Sequence, residues 1–475
     1  MEESHRPSAS ILQSVLRRAA GIVDRLYDGL ALLFVCLATP AVLFLVVAMP
    51  MFLNPDEGAH LARSLQISEG DLMGKSVPMD PAVGTVWNSY AYIIFDAKAR
   101  VSAQADLLAK NARWTGNIVY QEYPNVQAYP PIGYLPQALG ILIGKAAGLG
   151  IVRTFQLSRL FNGLTAIGIG ALALQLCRRG RMLIFTMLLF PMSLSLYASG
   201  SQDASIIALT ALACAIVSCL TSDEPSDRSP WLVATLAISL LVLFLDRPPY
   251  APLILVLLLP GVVPDAPRGP KWSLRIGLVA ALVSVVFLWL AEFSLSSQAA
   301  EGLMKNPNIN PSAQLAHLLT HPATVPALVA ATINFNFVSF TWGCVVGCLA
   351  YGDAVFSHGY YVLATVAIAL AVIVDVESDR RSKVTRSAIV AIAVAGVIAA
   401  LFLAVYLIWT PVGNPVVEGL QGRYFIPVVI AAAIALPGLC RLNWFVRLLR
   451  IAVMAFPLVT LLFLPDVIIQ RFYLT

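Results

Sequence analysis

The sequence predicts an all-α polytopic membrane protein of about eleven transmembrane helices, with the outer range 11–13 set by two ambiguous stretches. Three observations predict it. Of 475 residues, 59% are hydrophobic and only 12% are charged, whereas soluble domains carry about 25% charged residues. Mean hydropathy is +0.79. The apolar residues also fall into runs that match the roughly 20 residues a helix needs to cross hydrocarbon.

Residues 1–29 hold Arg6, Arg17, Arg18 and Arg25. They lack a short apolar region closed by a small-residue cleavage site, so a retained anchor is expected rather than a removed signal. Ile11, Leu12, Val15, Leu16, Ala19, Ile22, Val23 and Leu26 recur at helical spacing, which suits a cytoplasmic amphipathic helix on an anionic leaflet. A solvated tail is the plainer alternative. Residues 30–475 are read as one transmembrane domain.

The first span is the uncharged run 30–53, and further apolar runs occur near 160–177, 182–199, 204–221, 231–245, 250–264, 276–294, 356–374, 387–409, 424–440 and 451–468. The stretches 133–151 and 325–350 are interrupted by Gly, Pro or polar groups. Short cytoplasmic loops carry excess Lys and Arg. With neither stretch crossing, those loops contain Arg178, Arg179 and Arg181; Arg228; Arg268, Lys271 and Arg275; Arg380, Arg381, Lys383 and Arg386; and Arg441, Arg447 and Arg450. Both ambiguous stretches are therefore expected to lie at the outer surface. Residues 54–158 become a large first external loop carrying surface helices, and long loops are usually functional. Its aromatic residues, Trp87, Tyr90, Tyr92, Trp114 and Tyr120 among them, suit a bilayer interface.

Several function classes drop out. The net charge of +5 is modest and no basic, aromatic-interleaved patch exists, so nucleic acid is not an expected partner. The seven cysteines, including the CxxxC pair Cys344 and Cys348, suggest neither a disulfide framework nor a zinc knuckle. His317 and His321 have the spacing of a two-histidine metal site, but no glutamate follows the first. Walker loops, dinucleotide fingerprints and nucleophile elbows are absent in plausible context, so a transferase would draw its donor from the membrane rather than a nucleotide pocket.

The topology gathers the unusual polar residues on one face: Asn54-Pro55-Asp56-Glu57-Gly58-Ala59-His60, Ser201-Gln202-Asp203, Asp246-Arg247-Pro248-Pro249-Tyr250 and Gln421-Gly422-Arg423-Tyr424. Ionisable groups near hydrocarbon are costly and tend to be paired or functional. A transporter would want them at the midplane instead. Asp56 is expected to be a general base for an acceptor hydroxyl, with Glu57 orienting it or the acceptor; helix capping is the plain alternative for both. Arg423 and Arg247 are expected to bind a donor phosphate through their guanidinium forks, against simple snorkelling. His60, Asp203, Tyr129, Tyr134, Gln421 and Tyr424 are candidates for the acceptor or substrate groove. Asp203 can equally cap its helix, and the tyrosines can be interface anchors. No metal is expected; the alternative is that Asp56 with Asp203 holds a divalent cation, magnesium or manganese.

The runs PDEGAHLARSLQISEGDL, YPPIGYLPQALGILIG, RLFNGL, SQDA, RPPY and QGRYFIP, in this order over roughly residues 30–470, resemble the bacterial membrane-protein family called domain of unknown function 2142. That family is similar to the class C (GT-C) glycosyltransferases, which take sugar from a polyprenyl-phosphate carrier. The resemblance implies a GT-C-like helical bundle in a bacterial inner membrane, with the N-terminus cytoplasmic and the active site extracytoplasmic. It places Asp56 at the catalytic acid, Asp203 at a second acid used for metal or acceptor, and Arg423 at a phosphate contact. Metal-dependent members show paired acids in the first loop, whereas the contiguous Asp56-Glu57 here departs from that pattern. The large soluble carboxy-terminal domain of oligosaccharyl transferases is missing, which favours a glycan or glycolipid acceptor over protein. The expectation is an inverting transfer of sugar from a polyprenyl-phosphate carrier to such an acceptor. The rival is a lipid-linked glycan transporter or a noncatalytic subunit of surface-polysaccharide assembly.

Overall fold

The computed structural model describes residues 21–73, 76–123, 126, 129–222, 229–263, 273–296, 308–374, 383–435 and 443–474. The amphipathic pattern of residues 1–20, and the loop residues Arg228, Arg268, Lys271, Arg380, Arg381 and Arg441, lie outside them.

The first span is α1 (Leu30–Ala48), an uncharged 19-residue helix. At 1.5 Å per residue it is about 28 Å long, close to the thickness of a hydrocarbon core. The first loop folds as α2 (Glu57–Ser68), β1 (Ser76–Met79), α3 (Ala82–Phe95), α4 (Ala103–Asn111) and β2 (Val119–Glu122). The strands pair antiparallel, with Val77 opposite Gln121 and Met79 opposite Val119. This small sheet corrects the purely helical expectation. Its cause is local: Val77 and Met79 alternate inward and are buried at 0% and 4% exposure, while β2 is exposed throughout.

A 3₁₀ turn (Pro131–Tyr134) leads into α5 (Leu135–Ala146), which packs back on α6 (Ile151–Leu176). A Cβ at Gly140 would lie 2.7 Å from Ser158 Cα, and one at Gly144 2.9 Å from Thr154 Cγ2. This small-xxx-small seam lets the two backbones touch. The twelve residues of α5 extend only about 18 Å, short of a full crossing.

The expected span 182–199 is instead two short helices, α7 (Arg181–Leu188) and α8 (Pro191–Tyr197). Proline has no N–H to donate and its ring clashes with the preceding turn, so the helix breaks before Pro191. Next come α9 (Asp203–Leu220), buried along nearly its whole length, and α10 (Pro230–Asp246). The expected run 250–264 forms a 3₁₀ helix (Pro248–Leu258) with Pro252 inside it. The remaining helices are α11 (Ser273–Ser296), α12 (Pro311–Thr320), α13 (Thr324–Thr332), α14 (Phe335–Val346), α15 (His358–Val374), α16 (Lys383–Ile408), α17 (Ile426–Ala432) and α18 (Asn443–Phe472).

Among the described residues, five helices are long and apolar enough to cross a membrane: Leu30–Ala48, Ile151–Leu176, Asp203–Leu220, Arg386–Ile408 and Trp444–Phe472. Shorter apolar helices pack between them, and α13 and α14 form a pair bent by 60°. Charge separates to the two ends of the bundle. At one end Arg447 pairs with Asp24 at 2.8 Å, Arg450 lies over Tyr27 at 3.8 Å, and Arg179 donates to Thr221. The acids and arginines singled out in the sequence meet at the other end.

Candidate active site

The site is built from the turn between α1 and α2. Arg159, wholly buried in α6, donates to the carbonyls of Met49 at 2.7 Å and Pro50 at 3.0 Å, so it caps the end of α1. The same guanidinium grips Glu57 with two parallel bonds, 2.7 Å from Nε and 2.5 Å from Nη2. Glu57 also accepts the backbone N–H of Phe52 and of Gly200. All its acceptor directions point into the core, and it is 0% exposed. This corrects the expectation that Glu57 works beside Asp56: the two adjacent carboxylates face opposite ways.

Asp56 faces the other way because its backbone is left-handed, with φ 58° and ψ 10°. Asp tolerates that region better than most residues, at a cost of order 1–3 kcal/mol. Its side chain makes no capping bond to α2, so capping does not explain it. Instead it accepts from Arg423 Nη2 and is 46% exposed, whereas the Arg423 side chain is 3% exposed. Arg423 Nη1 also donates to the Pro55 carbonyl at 3.1 Å and lies 3.4 Å from Asp203 Oδ2. Asp203 Oδ1 in turn pairs with Arg247 Nη2 at 2.7 Å. Four residues from four segments thus form an alternating row: Asp56, Arg423, Asp203, Arg247. The Tyr424 ring lies beneath both guanidinium groups, 4.5 Å from Arg247 and 5.3 Å from Arg423, as cation–π attraction favours. Tyr250 donates to the Tyr424 carbonyl at 2.8 Å and holds that turn.

The charges around Asp56 set its titration. Burial is the strongest influence and works to raise its carboxyl, but the charge and hydrogen bond of Arg423, with the nearby His60, together outweigh it, so the group lies below its ordinary value of 3.8. His60 is pushed down to about 4 by burial, against the pull of Asp203 and Asp56, and is neutral at pH 7. Its Nδ1 is 2.7 Å from the Tyr134 hydroxyl, and its ring stacks on Tyr129 at 6.4 Å between centroids. His60 and Tyr134 are 3% and 0% exposed. That corrects their assignment to an open groove: the α2–α5 packing closes over them, and they prop the wall behind Asp56.

Two cavities meet at Asp56 and Tyr351. The larger, about 450 Å³, runs between α2 and α3 past Phe52, Asp80, Trp87, Gln121 and Tyr123. The smaller, about 200 Å³, lies against α14 and contains Pro55, Cys344, Cys348, Gln421, Gly422 and Arg423. Gln421 lines this cavity. Gly422 is required there: a Cβ would sit 2.4 Å from both Cys344 Cβ and the Thr341 carbonyl. Gly422→Ala is expected to cost about 1–3 kcal/mol by overpacking and to displace Arg423. A lowered melting temperature of the purified protein would report the first effect.

Asp56 with Asp203 does not fit a divalent cation. Such ions want hard oxygen ligands on several sides, and here the Arg423 guanidinium stands between the two carboxylates. Among the described residues no group of three His, Cys, Asp or Glu forms a metal site. His317 and His321 stack on each other at 4.9 Å on an exposed helix, and His321 Nδ1 is 2.9 Å from the Thr320 hydroxyl.

Arg159, Trp87 and Tyr351 were not singled out from the sequence as site residues. An arginine inside the apolar run of the RLFNGL segment was the available signal for the first, since a charge at that depth demands a partner. Trp87 and Tyr351 carry no such signal.

The family model described as "Predicted membrane protein (DUF2142)" matches residues 41–432. No curated protein matches the chain. Among solved structures, the chain is similar to the crystal structure of ArnT from Cupriavidus metallidurans bound to undecaprenyl phosphate. That match has 15% identity and a TM-score of 0.34, and it covers 90% of this chain and 78% of that one.

Proposed function

The chain belongs to the DUF2142 family of membrane proteins, and we propose that it is an inverting glycosyltransferase. It moves a sugar from a polyprenyl-phosphate carrier to a hydroxyl of an extracytoplasmic glycan or glycolipid. The observation that carries this reading is that Asp56 borders both cavities while Arg423 opens only onto the smaller one. A base placed between a pocket with an arginine and a pocket without one suits a transfer from a phosphate-bearing donor to a separate acceptor.

In this mechanism the donor phosphate enters the smaller cavity and takes the Arg423 fork, which suits phosphate bidentately. Asp56, released from Arg423, accepts the acceptor hydroxyl proton. The acceptor oxygen attacks the anomeric carbon from the face opposite the phosphate. The anomeric C–O bond breaks, its electron pair stays on the phosphate oxygen, and Arg423 stabilises that charge. Arg247 acts through Asp203: it neutralises that carboxylate and leaves Arg423 free for the phosphate. Glu57 is a positioning residue, held by Arg159.

Protein in nanodiscs, given a polyprenyl-phosphate sugar labelled in the sugar and a crude extract of cell-surface glycolipid, is expected to release polyprenyl phosphate and label the acceptor. Movement of intact donor across liposomes, with the phosphate–sugar bond unbroken, would favour the transporter alternative and sink this one.

The Asp56–Arg423 pair also predicts a pH response. Because the Asp56 carboxyl lies below its ordinary value, the acid limb of kcat/KM should fall below pH 3.8, and the base stays ionised above it. In Arg423→Met, the strongest influence opposing burial is removed and the carboxyl rises. The acid limb should then move to higher pH, whatever the loss in absolute rate. A pH profile with the limb unmoved would refute the pairing.

A further inference from the structure

We propose that the larger cavity is a subsite for an uncharged sugar unit, stacked on Trp87, and that it selects against acidic or phosphorylated acceptors. The inference rests on the transferase reading for its purpose, but its own evidence is the lining of that cavity. A volume of about 450 Å³ falls within the usual range for small-molecule pockets, about 300–1,000 Å³.

Its walls are aromatic. Trp87 is 37% exposed and Tyr351 46%, so both present ring area that packing has not covered. The Trp87 ring is braced against Phe52 at 5.3 Å. It lies so close to α2 that a Cβ on Gly58 would come within 2.9 Å of it. A fixed, half-exposed indole suits a ligand with an apolar face and polar edges, which is how a pyranose ring presents its C–H and hydroxyl groups.

The charge is one-sided. Among the described residues, none that line it is Lys, Arg or His, and two, Asp56 and Asp80, are carboxylates. Asp80 accepts four hydrogen bonds, from the backbone of Ala82, Thr115 and Gly116 and from the Thr115 hydroxyl. Those donors fix it as a carboxylate and leave it little capacity to hold a ligand, so it acts as a standing negative charge. An anionic acceptor would meet repulsion from Asp80, whose four partners are neutral donors. Arg423, the arginine that pairs with Asp56, opens onto the other cavity.

One residue allows a clean test. A Cβ at Gly84, on the cavity wall, would meet nothing within 4 Å. Gly84→Phe should therefore fill the cavity without disturbing packing. The full chain in phosphatidylcholine nanodiscs would be probed by saturation-transfer NMR with methyl β-glucoside, methyl β-glucuronide and glucose 6-phosphate. The neutral glycoside should bind at least about tenfold more tightly than either anion, with saturation strongest on its ring C–H protons. Gly84→Phe should abolish the signal at unchanged melting temperature. Trp87→Ala should lose it and Trp87→Phe restore part of it. Equal or tighter binding of the glucuronide, binding of none of the three, or a signal that survives Gly84→Phe would overturn the assignment. The transferase reading fails separately: a protein that binds the glucoside but never cleaves a polyprenyl-phosphate sugar refutes that reading and leaves the neutral-sugar subsite standing.

Discussion

Asp56→Asn is expected to insert and fold normally and to lose about 10²–10⁴-fold in kcat, the usual contribution of a general base. The substitution is close to isosteric, and Asn tolerates the left-handed backbone at position 56 as well as Asp does. Arg423 keeps the Pro55 carbonyl and Asp203 as partners, so the turn should hold. The amide cannot take a proton from the acceptor. Single-turnover release of polyprenyl phosphate, compared at equal membrane abundance, would measure the effect. A fully active variant would exclude Asp56 as the base and with it the mechanism. If activity is lost together with the melting temperature, the residue is structural.

The second large effect concerns stability. Glu57→Gln should destabilise the protein by about 3–5 kcal/mol, the range for breaking one side of a buried ion pair. Arg159 would be left with carbonyl acceptors but no counter-charge at 0% exposure. Arg159→Met should cost a similar amount by stranding Glu57. The double variant Glu57→Leu, Arg159→Met should recover much of the loss, because a packed apolar pair avoids the desolvation of both ions. Thermal unfolding in detergent would show this pattern. If Glu57→Gln melts like the parent, the pair is not an anchor, and Glu57 would return as a candidate for the chemistry.

Asp56, Asp203, Arg247 and Arg423 were legible in the sequence because each breaks an apolar context, and a charge beside hydrocarbon must be paired or used. Their meeting at one end followed from alternating spans and the loop positions of Lys and Arg. The opposed directions of Asp56 and Glu57 were not legible. The sequence marks both only as contiguous acids at a helix start, and the left-handed turn at Asp56 that sets their directions has no sequence signal. His60 and Tyr134 read as groove residues for a related reason: polarity marks them, but the packing of α2 on α5 decides exposure. Helix lengths were only partly legible. Hydropathy ran straight through Leu189 and Phe190 into Pro191, although a proline at that depth signals a break. Trp87 carried the ordinary signature of an interface aromatic, and nothing short of the fold would place it over Gly58.

The alternating row of two carboxylates and two guanidinium groups carries a consequence for turnover. It is electrically balanced at rest, so under the proposed transfer a lipid phosphate would displace one anion from Arg423 rather than add to a cationic trap. Swapping one negative partner for another changes the local charge tally little, and the spent carrier can depart when Asp56 swings back. A site built from unopposed arginines would grip a departing phosphate; under the proposed transfer, this one would compete it off with Asp56.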